Sequence, residues 1–255
     1  MKPSSTKWLG TTLAHAQVPS PNINERVGGQ SVSILLLHYT GMENAAKALH
    51  WLTAHESQVS CHYLVDERGA ITQMVDENKR AWHAGSGSWR GKEDVNARSI
   101  GIEIHNPGHT HGYIDFPTQQ MSAVADLCRD IVERHNISAR EVLAHSDIAP
   151  VRKIDPGEKF DWRFLHQRGI GHWVDPEPLS GGSFLQQGDQ GDAVLALQSL
   201  LKHYGYEIQL TGFFDEATRL AVAAFQRHFR QAKVDGVADQ STVATLHKLL
   251  RSLEA

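Results

Sequence analysis

The first regular element that the sequence predicts is a short apolar run followed by a polar residue. Residues 31–37, Ser-Val-Ser-Ile-Leu-Leu-Leu, form the kind of run that a buried strand requires, and His38 follows directly. A polar residue at the end of such a strand is expected to face a cleft. Residues 43–55 then predict a helix, because one stripe of it is apolar: Ala45, Ala46, Leu49 and Leu52.

Two further stretches have the period of two that is typical of strands. Residues 62–66 and 70–75 flank Glu67-Arg68-Gly69 and predict a hairpin. Between Ser99 and Asn106 the alternation is strict, with isoleucines on one face and Glu103 on the other. The pattern therefore separates the Glu103 carboxylate from the apolar side of its strand.

A long helix and a second histidine-terminated strand follow. Pro117 begins a segment with apolar residues at helical spacing: Met121, Val124, Cys128, Ile131 and Val132. Residues 142–144, Val-Leu-Ala, form a short strand that ends at His145. Strands thus alternate with helices, which predicts an α/β fold with a mixed central sheet flanked by helices.

The chain changes character near residue 180. Residues 175–186 have the proline, glycine and serine content of a linker. Helices separated by glycine turns follow, and Asp215 and Asp239 each stand at an expected N-cap in a small internal repeat. We predict a catalytic domain over 1–178, a linker over 179–186 and a small all-α domain over 187–255.

Composition excludes several functional classes. The 255 residues carry a formal net charge of −4, which gives no electrostatic footprint for nucleic acid or an anionic membrane. No apolar run is long enough to span a bilayer. Two cysteines are too few for a disulfide framework, and the segment after Met1-Lys2 is a poor secretory signal.

The unusual feature of the composition is sixteen histidines, because histidine is the commonest metal ligand. His38 and His145 end predicted strands, and Asp155 lies ten residues after His145. Two neutral imidazoles and one carboxylate can hold Zn²⁺ and leave a fourth position open, as hydrolytic zinc sites do.

The residues around these positions resemble a known family. His145-Ser-Asp-Ile-Ala-Pro-Val-Arg-Lys-Ile-Asp155-Pro-Gly is similar to the H-S-D-I-A-P-x-R-K-x-D-P-G signature of zinc N-acetylmuramoyl-L-alanine amidases, the group related to phage lysozyme-type and muropeptide-recycling amidases. Three more blocks fit in the same order: His38-Tyr-Thr, Ala81-Trp-His-Ala-Gly85 and Ser99-Ile-Gly-Ile-Glu103.

This resemblance implies specific roles. It makes His38, His145 and Asp155 ligands of one zinc ion per chain, Glu103 and Lys153 catalytic groups, and Trp82 and His83 neighbours of the substrate groove. The chemistry agrees, since Glu103 can transfer protons and the Lys153 ammonium can stabilise an oxyanion.

Simpler explanations exist for each of these residues. A histidine can merely end a strand, Asp155 can serve the turn before Pro156-Gly157, and Glu103 and Lys153 can be solvated surface groups. Trp82 and His83 fit a structural loop as well as a groove.

The C-terminal residues 187–251 resemble a three-helix peptidoglycan-binding domain; a generic helical bundle is the alternative. The expected partner is peptidoglycan or its muropeptides, and the expected site of action is the bacterial periplasm or wall, with export route and oligomeric state open. Two other functions are considered. A peptidoglycan receptor without activity would lack one of the three metal-ligating residues, and all three are present in this sequence. A muramidase would need a second carboxylate beside Glu103.

Overall fold

A computed structural model of the chain describes residues 8–26 and 30–254. Its centre is a six-stranded mixed sheet in the order β1-β5-β4-β7-β3-β8. The strands are β1 (Ala16–Gln17), β3 (Ile34–Tyr39), β4 (Tyr63–Val65), β5 (Ile71–Gln73), β7 (Ser99–Ile104) and β8 (Val142–Ala144). A two-stranded antiparallel ribbon pairs β2 (Ile23–Glu25) with β6 (Lys79–Ala81).

Strands β4, β7, β3 and β8 run parallel, and β4 and β5 form the predicted hairpin. The run that precedes His38 becomes β3, which is buried from Ile34 through His38 because β7 and β8 flank it and α3 and α4 contact it. His38 is the fifth residue of β3 rather than the first residue after it.

Helices complete the layers around the sheet. They are α1 (Ala45–Thr53), α2 (Val95–Arg98), α3 (Thr118–His135), α4 (His145–Ile148) and α5 (Trp162–His166). Pro117 is the N-cap of α3, as its sequence position predicts, and α3 buries the stripe that includes Met121, Val124 and Cys128. The mixed α/β fold is confirmed.

The C-terminal residues form three helices, α6 (Asp192–Tyr204), α7 (Glu216–Phe229) and α8 (Gln240–Arg251). The Asp215 side chain accepts a hydrogen bond from Thr218 N, and that of Asp239 accepts one from Thr242 N. Both predicted caps are therefore present.

The core is continuous between the sheet and these helices. One hydrophobic cluster includes Leu36 of β3, Trp89 of the loop before α2, and Tyr206 and Phe225 of the C-terminal region. Trp89 is fully buried, and its ring lies edge-on to the rings of Tyr204 and Tyr206. The C-terminal helices are therefore packed against α4 and the Trp89 loop of the catalytic domain, in addition to their connection through the chain.

Neither cysteine of the chain forms a disulfide bond. Cys61 and Cys128 are buried free thiols. Met1–Lys7, the start of the weak signal-like segment, lie outside the described residues. Within those residues, none of the helices combines the length and apolar character that a membrane crossing needs.

Candidate metal centre

The ends of three chain segments bring His38, His145 and Asp155 together. His38 comes from β3, His145 is the first residue of α4 directly after β8, and Asp155 follows in the next loop. Because β3 and β8 are parallel neighbours, their carboxyl ends lie at one edge of the sheet. All three side chains are buried.

Three atoms of this group converge on one point. His38 Nδ1 lies 2.9 Å from His145 Nδ1 and 3.1 Å from Asp155 Oδ2, and His145 Nδ1 lies 3.0 Å from the same oxygen. Ligands about 2.0–2.2 Å from a tetrahedral zinc ion would be roughly 3.3 Å apart. The triangle is therefore close to one face of such a tetrahedron.

Contacts on the far side of the two rings bear on where their protons lie. His145 Nε2 lies 3.0 Å from the carbonyl oxygen of Ala84, which can only accept, so this nitrogen carries hydrogen. His38 Nε2 lies 2.9 Å from His83 Nδ1, and His83 Nε2 lies 3.1 Å from Ser99 Oγ. If the proton of His38 is on Nε2, then lone pairs on two Nδ1 atoms and one carboxylate oxygen face each other with no hydrogen between them.

Burial and charge tune this cluster. Burial and the nearby His145 lower the pKa of His38 to about 4, although Asp155 acts in the opposite direction. Burial opposes ionisation of Asp155, but His145 and His38 outweigh it and hold the pKa of that carboxyl well below its usual value. Near neutral pH the group therefore consists of a neutral His38 and an ionised Asp155, as metal binding requires.

The loop that precedes α2 supports the two histidine ligand candidates from behind. Asn96 Oδ1 accepts hydrogen bonds from His83 N at 3.0 Å and Ala84 N at 2.8 Å. Asn96 thereby holds the backbone of His83 and Ala84, the two residues that contact His38 and His145. The sequence reasoning singled out His83 for the substrate groove and did not identify this contact.

Glu103 and Lys153 line the same cleft, which has a volume of about 420 Å³. Glu103 is the register partner of His38 on the neighbouring strand β7. Its Oε2 is buried and has no hydrogen-bond partner among the described residues. Burial raises the pKa of Glu103 well above its usual value, and the charge of Asp155 adds to this effect while Lys153 opposes it.

The predicted groove residues also lie on this cleft. Trp82 and His83 line it, and Trp82 Nε1 donates a hydrogen bond of 2.6 Å to Asn24 Oδ1. Trp51 of α1 lines it too, with 45 % of its surface exposed. Sequence reasoning missed Trp51, although a large aromatic residue off the apolar stripe of its helix was an available signal.

A second group of potential ligand atoms overlaps the first. The nitrogen or sulfur atoms of His38, Cys61 and His83 lie within 4.8 Å of one another. Burial raises the pKa of the Cys61 thiol well above its usual value, and the charge of Glu103 raises it further. This environment disfavours the thiolate that coordinates metals.

The site combines two imidazoles and a carboxylate at the edge of a sheet with a nearby glutamate whose buried oxygen has no hydrogen-bond partner among the described residues. This combination is typical of the class of mononuclear metallohydrolases. Comparisons with known proteins agree. A sequence model of the N-acetylmuramoyl-L-alanine amidase family matches residues 28–158, and one of a peptidoglycan binding domain matches residues 190–246. The N-acetylmuramoyl-L-alanine amidase AmiD of Escherichia coli is 36% identical over 231 residues, which cover 86% of this chain and 82% of AmiD.

Solved structures show the same relationship. A complex of E. coli AmiD with anhydro-N-acetylmuramic acid-L-Ala-D-gamma-Glu-L-Lys has a TM-score of 0.75 at 35% identity and covers 90% of this chain and 93% of that one. AmpDH3 of Pseudomonas aeruginosa, in complex with an anhydromuramic pentapeptide, has a TM-score of 0.73 at 28% identity and covers 90% and 95%. The chain belongs to the N-acetylmuramoyl-L-alanine amidase family, whose members are zinc enzymes, and its activity is that of an N-acetylmuramoyl-L-alanine amidase.

Proposed function

We propose that the chain binds one Zn²⁺ through His38 Nδ1, His145 Nδ1 and Asp155 Oδ2. The observation that carries this proposal is the convergence of these three atoms at 2.9–3.1 Å. With the ring protons of His38 and His145 on their Nε2 atoms, three lone pairs at this distance repel one another unless a cation lies among them. The alternative group with Cys61 is less suitable because its thiol stays protonated.

Two further residues would act on the substrate. A zinc ion held here supplies a Lewis acid that polarises the scissile carbonyl and makes water more acidic. Glu103 takes a proton from the attacking water and delivers it to the leaving amine, a role that suits a carboxyl with a raised pKa and a free buried oxygen. Lys153 places its positive charge on the same cleft, where it stabilises the carbonyl oxygen as negative charge develops.

The proposed substrates are peptidoglycan and its soluble muropeptides, cut between the lactyl group of muramic acid and L-alanine. Support comes from AmiD and AmpDH3, whose solved complexes contain muramyl peptides. Trp82 and His83, together with Trp51, would contact the substrate from the walls of the cleft. The match of residues 190–246 to a peptidoglycan binding domain supports action on the polymeric wall, in the bacterial periplasm or on the wall itself.

The reaction is tested with purified full-length protein, peptidoglycan and a soluble muramyl tripeptide, each with and without a chelator. An amidase releases new L-alanine amino termini, and zinc restores this release after chelation. New reducing sugar ends would instead indicate a muramidase, and binding without products would indicate a receptor.

Single substitutions separate ligand from catalytic roles. His38→Ala should lose zinc and activity together. Glu103→Gln should retain zinc, while kcat falls about 10²-fold to 10⁴-fold because proton transfer is removed. Zinc content by mass spectrometry and turnover of the soluble tripeptide measure both effects. Full turnover by His38→Ala would contradict the ligand assignment.

A further inference from the structure

The segment that carries His145 and Asp155 also contacts the C-terminal helices. Asp147 lies two residues after His145 on α4 and is fully buried. Its Oδ1 accepts a hydrogen bond of 2.7 Å from the Tyr206 hydroxyl. Its Oδ2 contacts His228 Nδ1 at 2.6 Å and accepts a hydrogen bond of 2.8 Å from Ala144 N.

Two of the three partners of this carboxylate therefore come from outside the catalytic sheet. Tyr206 follows α6 and His228 belongs to α7. A carboxylate buried without enough hydrogen bonds is costly, and without these two residues the Asp147 side chain would retain, among the described residues, only the hydrogen bond from Ala144 N. The conformation of α4 thus depends on the C-terminal region.

The His228 ring is itself held on both faces. It stacks on Trp162 of α5 at a centroid distance of 3.7 Å and on Phe229 at 3.9 Å. Three residues further along the chain from His228, Gln231 Nε2 donates a hydrogen bond of 2.7 Å to the carbonyl oxygen of Phe160. Residues at and just after the end of α7 thus contact the chain on both sides of Asp155, at Asp147 and at Phe160.

The two candidate ligands are linked through backbone as well. Ser146 N, between His145 and Asp147, donates a hydrogen bond of 3.0 Å to the carbonyl oxygen of Asp155. A displacement of α4 would therefore move both His145 and Asp155. These residues supply two of the three atoms that converge on the proposed zinc site.

We propose that Tyr206 and His228 are positioning residues of the metal centre: by holding Asp147 they fix α4 and thereby the places of His145 and Asp155. The C-terminal region is then a structural part of the active site, whatever it contributes to wall binding. This inference rests on the proposed zinc site.

A matched pair of tyrosines provides the test in the full-length chain. Tyr206→Phe removes the hydroxyl that holds Asp147. Tyr204→Phe removes a hydroxyl from a buried tyrosine of the same interface, whose contact is His172 Nδ1 at 2.9 Å, outside the ligand segment. Zinc affinity of the metal-free proteins is measured by competition with a chelating indicator, and thermal unfolding is measured alongside.

Tyr206→Phe should weaken zinc binding about threefold to tenfold, less than the roughly tenfold to hundredfold known for residues that contact metal ligands directly, because Tyr206 acts through Asp147. Tyr204→Phe should lose a similar amount of thermal stability with zinc affinity unchanged. In metal-free protein, amide exchange of residues 144–149 should be faster in Tyr206→Phe than in Tyr204→Phe. With the soluble tripeptide, Tyr206→Phe should lower kcat and leave KM unchanged.

Substitutions of His228 test the same proposal independently of Tyr206. His228→Leu should weaken zinc binding at least about tenfold, and His228→Asn, whose amide replaces the Nδ1 donor, should recover most of it. Folded Tyr206→Phe and His228→Leu proteins with wild-type zinc affinity would overturn this inference alone. A wild-type protein that binds no zinc would overturn the proposed function and this inference together.

Discussion

At the scale of single residues, the place of His83 depends on the absence of a side chain at Gly101. Gly101 lies on β7, two residues before Glu103 and on the same face of the strand. A β-carbon at this position would lie 2.5 Å from His83 Nδ1 and 2.7 Å from its Cε1. The glycine of the Ser99–Glu103 block therefore leaves room for the ring that contacts His38.

Gly101→Ala should displace the His83 ring and break its 2.9 Å contact with His38 Nε2. Because this contact orients His38, zinc affinity should fall about tenfold to a hundredfold. The measurement is zinc competition on the metal-free protein. Gly181→Ala, where the added carbon would have no neighbour within 4 Å, is the control and should bind zinc as the wild type does. Equal affinities for both variants would show that His83 does not support the site.

The sequence predicts the members of the candidate site better than their supports. His38, His145, Asp155 and Glu103 are recognisable because each stands beside an apolar strand or in a distinctive block. Their roles remain predictions, although the fold brings them to one cleft. The role of Asp147 depends on Tyr206 and His228, which lie 59 and 81 residues away, and no local pattern encodes such a contact.

At the scale of elements, a buried glutamate fastens the end of α3 to the sheet. Glu77 follows β5 and contacts Arg134 and His135 of α3 and the Tyr63 hydroxyl of β4. Burial alone would raise the pKa of Glu77, but these hydrogen bonds outweigh it and lower the pKa to about 2 from an ordinary 4.5. The ionised carboxylate thus joins a helix to two strands.

The lowered pKa gives Glu77 a pH-dependent share of stability. Its contribution is complete above about pH 4.5 and is lost as the pH falls toward 2, because the unfolded chain takes up the proton first. The shift corresponds to about 3 kcal/mol of unfolding free energy. Urea unfolding from pH 6 to pH 2.5 should show a wild-type advantage over Glu77→Gln that shrinks with falling pH. The exposed control Glu56→Gln should follow the wild type, and a constant gap for Glu77→Gln would contradict this account.

Elements with a strong local pattern were predictable, and those made by distant pairing were not. The hairpin, α3, the Asp215 and Asp239 caps and the strand before His145 follow the sequence closely. Strand β1 has two residues and pairs with β5 more than fifty positions later, so its own sequence carries no period. The same holds for the ribbon of β2 and β6. Helix α1 is shorter than its predicted range at both ends, because Asn44 caps it and Ala54 is extended.

At the scale of the whole molecule, the sheet and the C-terminal helices share one core. The Trp89 ring occupies the space above Gly205, where a β-carbon would lie 2.6 Å from the indole. The segment 175–186 is also attached, since Leu185 and Ala238 exchange two backbone hydrogen bonds and Glu177 N donates one to Thr245 Oγ1. Its composition predicts a linker, because proline and glycine indicate turns and carry no information on what the chain packs against.

The shared core predicts a single unfolding transition for the full chain. Trp89→Ala should lower the free energy of unfolding by about 3–5 kcal/mol, since it empties a large buried site. Calorimetry and far-UV circular dichroism should still report one transition at a lower temperature. Trp51→Ala, which removes a half-exposed indole, should have a much smaller effect on stability. Two separate transitions, with only one shifted by Trp89→Ala, would show that the regions unfold independently.

The docking of the C-terminal region also bears on how the enzyme meets an insoluble substrate. When a binding module is joined to an enzyme by a flexible linker, the catalytic site can take many positions around the bound module. The length of the linker then sets the effective concentration of substrate at that site. Here the module and the catalytic domain share a hydrophobic core. A glycan strand bound by the C-terminal helices would therefore lie at a restricted distance and angle from the cleft. The arrangement of strands in the wall would then determine which stem peptides the enzyme can cut.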